Sequence, residues 1–263
     1  MIRELSVDEF LQQSTANLTL DVRSEGEYNH AHIPHASNLP LFNNEERSVA
    51  GTLYKQHGRN DAIQKGLEII GPKMAGFTQL VIEQIQNNKV FVHCWRGGMR
   101  SSSMAWLLNL MGWDVYVLKG GYKAYRNKVL EHFTLPKKYA LLGGFTGSGK
   151  TKVLNALHES GEQVIDLEAL ANHKGSAFGA LGERDQPSTE MFENLLHQVL
   201  MTMNHNSTIW VEDESKTIGK VYLNNIFLKN IRQAAFFVIE IPFAERVEAL
   251  VNNYGSFSFE ELE

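Results

Sequence analysis

Cys94 is the only cysteine in the 263-residue chain, and the residues that follow it make this thiol a candidate reaction centre. Cys94-Trp95-Arg96-Gly97-Gly98-Met99-Arg100-Ser101 is a Cys-x5-Arg loop that comes directly after the apolar run Val90-Phe91-Val92. Backbone N–H groups of such a loop, the start of the helix behind it, and the guanidinium groups of Arg96 and Arg100 are expected to stabilise a thiolate and lower its pKa. The same nest can bind an oxyanion or hold a persulfide. Two chemistries use it: phosphoester hydrolysis through a phosphocysteine, and sulfur or selenium transfer through a persulfide or selenopersulfide. Spacing alone does not separate them. A phosphatase also needs a general acid, commonly an Asp, and the sequence identifies none.

A second constellation lies further along the chain. Gly144-Phe145-Thr146-Gly147-Ser148-Gly149-Lys150-Thr151 satisfies the phosphate-loop pattern G-x-x-x-x-G-K-[ST]. Its glycines bring backbone N–H groups close to phosphate oxygens, the helix N-terminus adds its positive dipole end, and Lys150 supplies a mobile charge. Gly144, Gly147, Ser148, Gly149, Lys150 and Thr151 are therefore the expected binding residues, with the Thr151 hydroxyl suited to Mg²⁺. No protein metal-ligand set is read from the sequence. Glu212-Asp213-Glu214 follows the apolar run Thr208-Ile209-Trp210-Val211, and a carboxylate there could hold a metal-bound water beside the loop. The motif leaves open which diphosphate is bound.

Both loops need a strand before them and a helix after them, and the chain supplies these. Short apolar runs (Leu18-Thr19-Leu20, Val90-Phe91-Val92, Val115-Tyr116-Val117-Leu118) alternate with amphipathic stretches, the rhythm of an α/β sheet. Met104, Ala105, Leu107, Leu108 and Met111 share one helical face. The pattern breaks at Phe133-Thr134-Leu135-Pro136-Lys137-Lys138 and a new strand begins at Tyr139. The reading is thus an α/β domain over 1–134 and a second α/β domain over 138–263, with strands also at Val164-Ile165 and Phe236–Ile241. Lys119 to Lys138, rich in lysine with Tyr122 and Tyr125 interleaved, reads as a solvated linker.

Length favours two domains, since one usually takes ~100–200 residues. With 43% hydrophobic and 21% charged residues the composition is that of a globular chain. No apolar run approaches a membrane span and Met1–Leu5 lacks a signal-peptide core, so the cytoplasm is the expected compartment. The net charge of −5 gives no whole-chain electrostatic support for nucleic-acid binding.

The order of motifs nevertheless has a close counterpart. Asp21-Val22-Arg23, Glu27-Tyr28 and His32-Ile33-Pro34-His35-Ala36 look like the opening segment of a rhodanese domain. Together with the Cys94 loop, Gly120-Gly121, the phosphate loop, Asp166-Leu167-Glu168, His173–Gly179, Gln186-Pro187 and Trp210–Ser215, the order resembles that of the tRNA 2-selenouridine synthase family. The resemblance implies a rhodanese-like domain followed by a P-loop NTPase-like domain. It also implies a tRNA-modifying transferase acting on wobble 2-thiouridine: geranyl diphosphate alkylates the sulfur, and selenium from selenophosphate then displaces geranyl-thiol to give 2-selenouridine. Cys94, Arg96 and Arg100 would serve the selenium step, the phosphate loop the first. Selenophosphate synthetase becomes a candidate partner, and no membrane is involved. Family members continue beyond Glu263, so the second domain is expected to be incomplete. The rival reading is a Cys-dependent phosphatase joined to a small-molecule kinase-like P-loop domain.

Overall fold

The computed structural model describes residues 1–255, 257 and 258. It divides into two compact units, 1–128 and 129–263.

In the first unit, strands β1 (Ile2–Leu5), β2 (Leu18–Asp21), β3 (Ser37–Asn38), β4 (Lys89–His93) and β5 (Asp114–Leu118) form a parallel sheet in the order β1-β5-β4-β2-β3. Around it lie α1 (Val7–Ser14), α2 (Glu25–His30), α3 (Asn44–Gln56), α4 (Arg59–Ile70), α5 (Met74–Gln84), α6 (Met99–Leu110) and α7 (Gly121–His132). Val90, Phe91 and Val92 are buried without alternation, as expected of a central strand covered on both faces. Met104, Ala105, Leu107 and Leu108 carry α6 onto the core beside Val90, Val92, Val115 and Val117.

The second unit has β6 (Tyr139–Gly144), α8 (Lys150–Glu159), β7 (Gln163–Ile165), α9 (Leu167–Ala171), α10 (Thr189–Met201), β8 (Ile209–Glu212), the two-residue strands β9 (Thr217–Ile218) and β10 (Val221–Tyr222), α11 (Asn225–Ile231), β11 (Ala235–Ile239) and α12 (Phe243–Tyr254). Its main sheet is parallel with order β11-β6-β8-β7. From β6 the chain winds to one side through β7 and β8 and then returns to the other side as β11. Such a switch point is where open α/β sheets place their ligands.

The stretch from Lys119 to Lys138 is not a solvated linker. Most of it is α7, whose Tyr122, Tyr125 and Val129 are buried at helical spacing while Lys123 faces outward. Burial of the two tyrosine rings outweighs the local lysine content. Among the described residues no helix is long and apolar enough to cross a membrane.

Candidate functional sites

In the first unit the C-terminal ends of β2, β4 and β5 meet. Register puts Asp21 opposite His93, and the Val22 N–H donates to the His93 carbonyl at 3.0 Å. Cys94 is the next residue. It is 3% exposed, with Sγ 3.2 Å from the Ser101 hydroxyl on the first turn of α6. The loop is clasped from the first turn of α7: Tyr122 N–H donates to the Cys94 carbonyl at 2.8 Å and Lys123 N–H to the Trp95 carbonyl at 3.0 Å. Gly121, at φ +62°, lies so close to the backbone of Cys94, Arg96 and Gly97 that no side chain fits. The glycine pair at 120–121 therefore holds the cysteine loop from behind.

Arg100 points to Glu27, donating at 2.6 and 3.3 Å. Arg47 joins the same carboxylate at 2.8 Å. Burial raises the Glu27 pKa, but the hydrogen bonds and charge of Arg100, the Ser24 N–H and the charge of Arg47 together hold it below its ordinary value. Arg96 is exposed on the loop. The expectation that both arginines serve the thiol directly is thus modified: Arg100 reaches it through its electrostatic field while its hydrogen bonds go to Glu27. Neither Glu27 nor Arg47 was singled out as a site residue in the sequence, because both lie far along the chain from Cys94.

Beneath the loop, Asp21 and Arg23 form a fully buried pair at 2.5 Å. Arg23 also donates to the Ala31 carbonyl at 2.7 Å and lies 3.8 Å from the centre of the Tyr122 ring. Burial works against the Asp21 charge, yet its neighbours hold its pKa below the ordinary value. The charge of His93 is one of those influences, but burial presses His93 down to about 4, so at neutral pH Arg23 is the cation that matters. The two carboxyl groups tied to this loop, Asp21 and Glu27, are both stabilised as carboxylates. That suits neither to the general-acid role a phosphatase requires.

In the second unit, Gly144, Gly147, Ser148, Gly149, Lys150 and Thr151 form the turn from β6 into α8. Gly149 caps the helix at φ +83°, and Gly147, at φ +82°, packs against the Arg246 backbone on α12. Lys150 donates to the Gly144 carbonyl at 3.3 Å and lies 3.6 Å from Glu214. The Ser148 hydroxyl is buried without a partner, and Thr151 is exposed at the helix start. Arg246, which carries no sequence signal, brings a second cation: it donates to the Thr146 carbonyl at 3.4 Å and stands 5.0 Å from the Phe145 ring centre.

The acidic run after β8 resolves by strand-like alternation: Glu212 and Glu214 turn inward, whereas Asp213 is exposed. Glu168, brought in by α9, joins them, with candidate ligand atoms all within 4.8 Å. The sequence offered no protein metal-ligand set because Glu168 lies far along the chain from Glu212 and Glu214 and meets them only in the fold. Glu212 accepts the Glu168 N–H at 2.8 Å, while its other oxygen is buried without a partner. Burial, reinforced by the neighbouring carboxylates, drives the pKa values of Glu212 and Glu168 well above the ordinary 4.5. Hard oxygen donors with an unpaired buried oxygen fit a Mg²⁺-type cation, and in its absence a shared proton does the same work.

A raised carboxyl pKa contributes to stability below the unfolded value, and that contribution is lost as pH rises through the folded one. Glu212→Gln, measured with a chelator present, is therefore expected to raise the melting temperature by a few degrees on the alkaline side of neutrality and to give no gain near pH 4.5. Equal destabilisation at both pH values would mean that Glu212 is not held under charge repulsion.

Comparison with known proteins places both halves. Residues 137–262 match the family model of the tRNA 2-selenouridine synthase AAA domain, and residues 6–128 the rhodanese-like domain. The chain is 35% identical over 260 residues to the tRNA 2-selenouridine synthase of Nitrosomonas europaea, covering 95% of this chain and 67% of that protein. It is 36% identical over 265 residues to the protein of the same name from Hydrogenovibrio crunogenus, covering 94% and 71%. A solved rhodanese-like domain protein from Staphylococcus aureus is 19% identical, covers 47% of this chain and 90% of its own, and has a TM-score of 0.27.

Proposed function

This chain belongs to the tRNA 2-selenouridine synthase family, and from that premise we propose that it modifies tRNA, converting wobble 2-thiouridine to 2-selenouridine through an S-geranyl intermediate. The observation that carries the reading is the presence, in one chain, of a glycine-built phosphate cradle and a buried, hydrogen-bonded thiol, each at the C-terminal end of a parallel sheet. In the first step the 2-thio sulfur forms a bond to C1 of geranyl diphosphate, the C–O bond breaks, and diphosphate leaves with the electron pair. Backbone N–H groups at Gly147 and Gly149, with Lys150 and Arg246, suit that leaving group. Phe145 and Phe243, exposed beside Arg246, suit the prenyl chain. Glu168, Glu212 and Glu214, with Thr151, would hold Mg²⁺, which when bound neutralises diphosphate charge. In the second step the selenium of selenophosphate bonds to C2 of the base, geranyl-thiol departs, and water then cleaves the P–Se bond to release phosphate, with Cys94 beside the selenium and Arg100 and exposed Arg96 contributing positive charge. Selenophosphate synthetase is the natural source of the donor, and the cytoplasm the natural compartment.

The test is reconstitution with 2-thiouridine tRNA, geranyl diphosphate and selenophosphate, each donor omitted in turn, with nucleosides read by mass spectrometry. Selenouridine that depends on both donors is expected, with the S-geranyl product alone when selenophosphate is withheld. Selenouridine formed without geranyl diphosphate would overturn the two-step route. Lys150→Met is expected to slow geranylation about 10²-fold, the usual loss for one preorganised donor, and to leave selenation of pre-geranylated tRNA unchanged.

A further inference from the structure

The first unit holds a cavity of about 890 Å³ that the chemistry at Cys94 does not explain. It lies among α3, α4 and the outer face of α6. Its walls are mainly apolar: Phe42, Tyr54, Leu67, Ile70, Met99 and Trp106. Several are also well exposed, Leu67 at 61% and Trp106 at 56%. Helix α3 buries no residue and α4 buries only Gly66. Ile70 anchors the hairpin to the core, while the rest of its inner face lines an open space and leaves apolar surface in water at a hydrophobic cost that a ligand would relieve. Volume and lining match those of small-molecule sites, which are mostly apolar with a few placed polar groups.

Its polar lining includes Lys55, Arg47 and Arg100, of which Arg100 lies on the first turn of α6, the helix that follows the Cys94 loop. Arg47 and Arg100 both line the cavity and share Glu27. The first turn of α6 separates two environments: Ser101 bonds the Cys94 sulfur, while Met99, Arg100, Ser102 and Ser103 face the cavity. A base placed at the thiol could thus extend an apolar substituent past this turn.

We propose that the cavity holds the prenyl chain of the S-geranyl-2-thiouridine intermediate during the selenium step, an inference that rests on the function proposed above. It would orient C2 of the base toward Cys94 and receive the departing prenyl thiol.

Gly51 gives a clean test. It lies within α3 on the cavity wall, and a Cβ there would meet nothing within 4 Å. Gly51→Phe can fill the space without breaking the helix, and Gly51→Ala serves as the control. With the whole chain, anticodon stem-loops carrying 2-thiouridine or S-geranyl-2-thiouridine are compared for binding and for selenation. Wild type and Gly51→Ala are expected to bind the geranylated RNA at least about 10-fold more tightly than the thiolated one, as burial of an apolar chain requires. Gly51→Phe is expected to abolish that preference and raise the KM for geranylated RNA about 10-fold, with geranylation of thiolated RNA unaffected. Preserved preference and KM in Gly51→Phe would overturn the cavity assignment alone, as would equal binding of the two RNAs by wild type. If wild type binds geranylated RNA but never converts it with selenophosphate, the proposed function fails instead.

Discussion

Cys94→Ser is expected to lower 2-selenouridine formation by on the order of 10³-fold or more, the scale seen when a nucleophile is removed, while S-geranyl-2-thiouridine accumulates. The substitution is nearly isosteric at a position 3% exposed, and the neighbouring Ser101 hydroxyl at 3.2 Å can bond oxygen as it bonds sulfur. Folding should therefore survive, and the loss can be assigned to chemistry. The loop backbone is set by Gly121 and the two N–H donors at Tyr122 and Lys123, none of which depends on the thiol. Nucleoside analysis by mass spectrometry reads both products from one sample. Normal selenation by the variant would remove Cys94 from the mechanism. Cys94-dependent hydrolysis of an aryl phosphate by wild type would instead support the phosphatase alternative.

Arg23→Met should cost about 3–5 kcal/mol of stability, the penalty for leaving a buried charge without its partner. Asp21 and Arg23 are 0% and 1% exposed, so water cannot replace the guanidinium. Methionine restores most of the apolar stem but none of the hydrogen bonds to Asp21 and the Ala31 carbonyl, and it ends the contact with the Tyr122 ring. The pH dependence gives a second reading. Asp21 has a depressed pKa, so its contribution to stability is present above its unfolded value and is lost as pH falls through the folded one. His93, depressed from 6.5 to about 4, contributes in the same sense, and its share is lost between those two values. The first unit should therefore weaken as pH falls below 6.5. Arg23→Met should differ most near neutrality, with the gap narrowing in acid as Asp21 becomes protonated. Urea unfolding at several pH values measures this. A loss under about 1 kcal/mol at neutral pH would mean that the pair behaves as a surface salt bridge.

Other consequences of the fold reach the chemistry less directly. Glu27 takes hydrogen bonds from Arg100 on α6 and pairs in charge with Arg47 on α3, so the helix that carries the proposed prenyl cavity and the helix that follows Cys94 are linked through one carboxylate. Around the phosphate loop, Lys150 lies between the Gly144 carbonyl and Glu214. The cation that would meet a diphosphate is thus already oriented by the same glutamate that helps form the candidate Mg²⁺ set.

The amino-acid sequence by itself determined the two loops and the α/β class. Cys94 to Ser101 and Gly144 to Thr151 act through local backbone conformation, and their glycines, cation and helix start are contiguous. Strands such as Val90–Val92 are legible because a parallel strand covered on both faces is an unbroken apolar run. Only the tertiary structure decided which distant groups join those loops. Parallel strands deliver their C-terminal ends to one edge, which brings Asp21 to His93 and Gly121 to Cys94, and gathers Glu168 with Glu212 and Glu214. It chose Glu212 and Glu214 over Asp213 through the alternation of an extended chain, turned Arg100 toward Glu27, and buried Tyr122 and Tyr125 in what composition read as a solvated linker. A motif states which chemistry a loop can support. The charges, protons and apolar space around it depend on residues far apart in the chain, and only packing sets those distances.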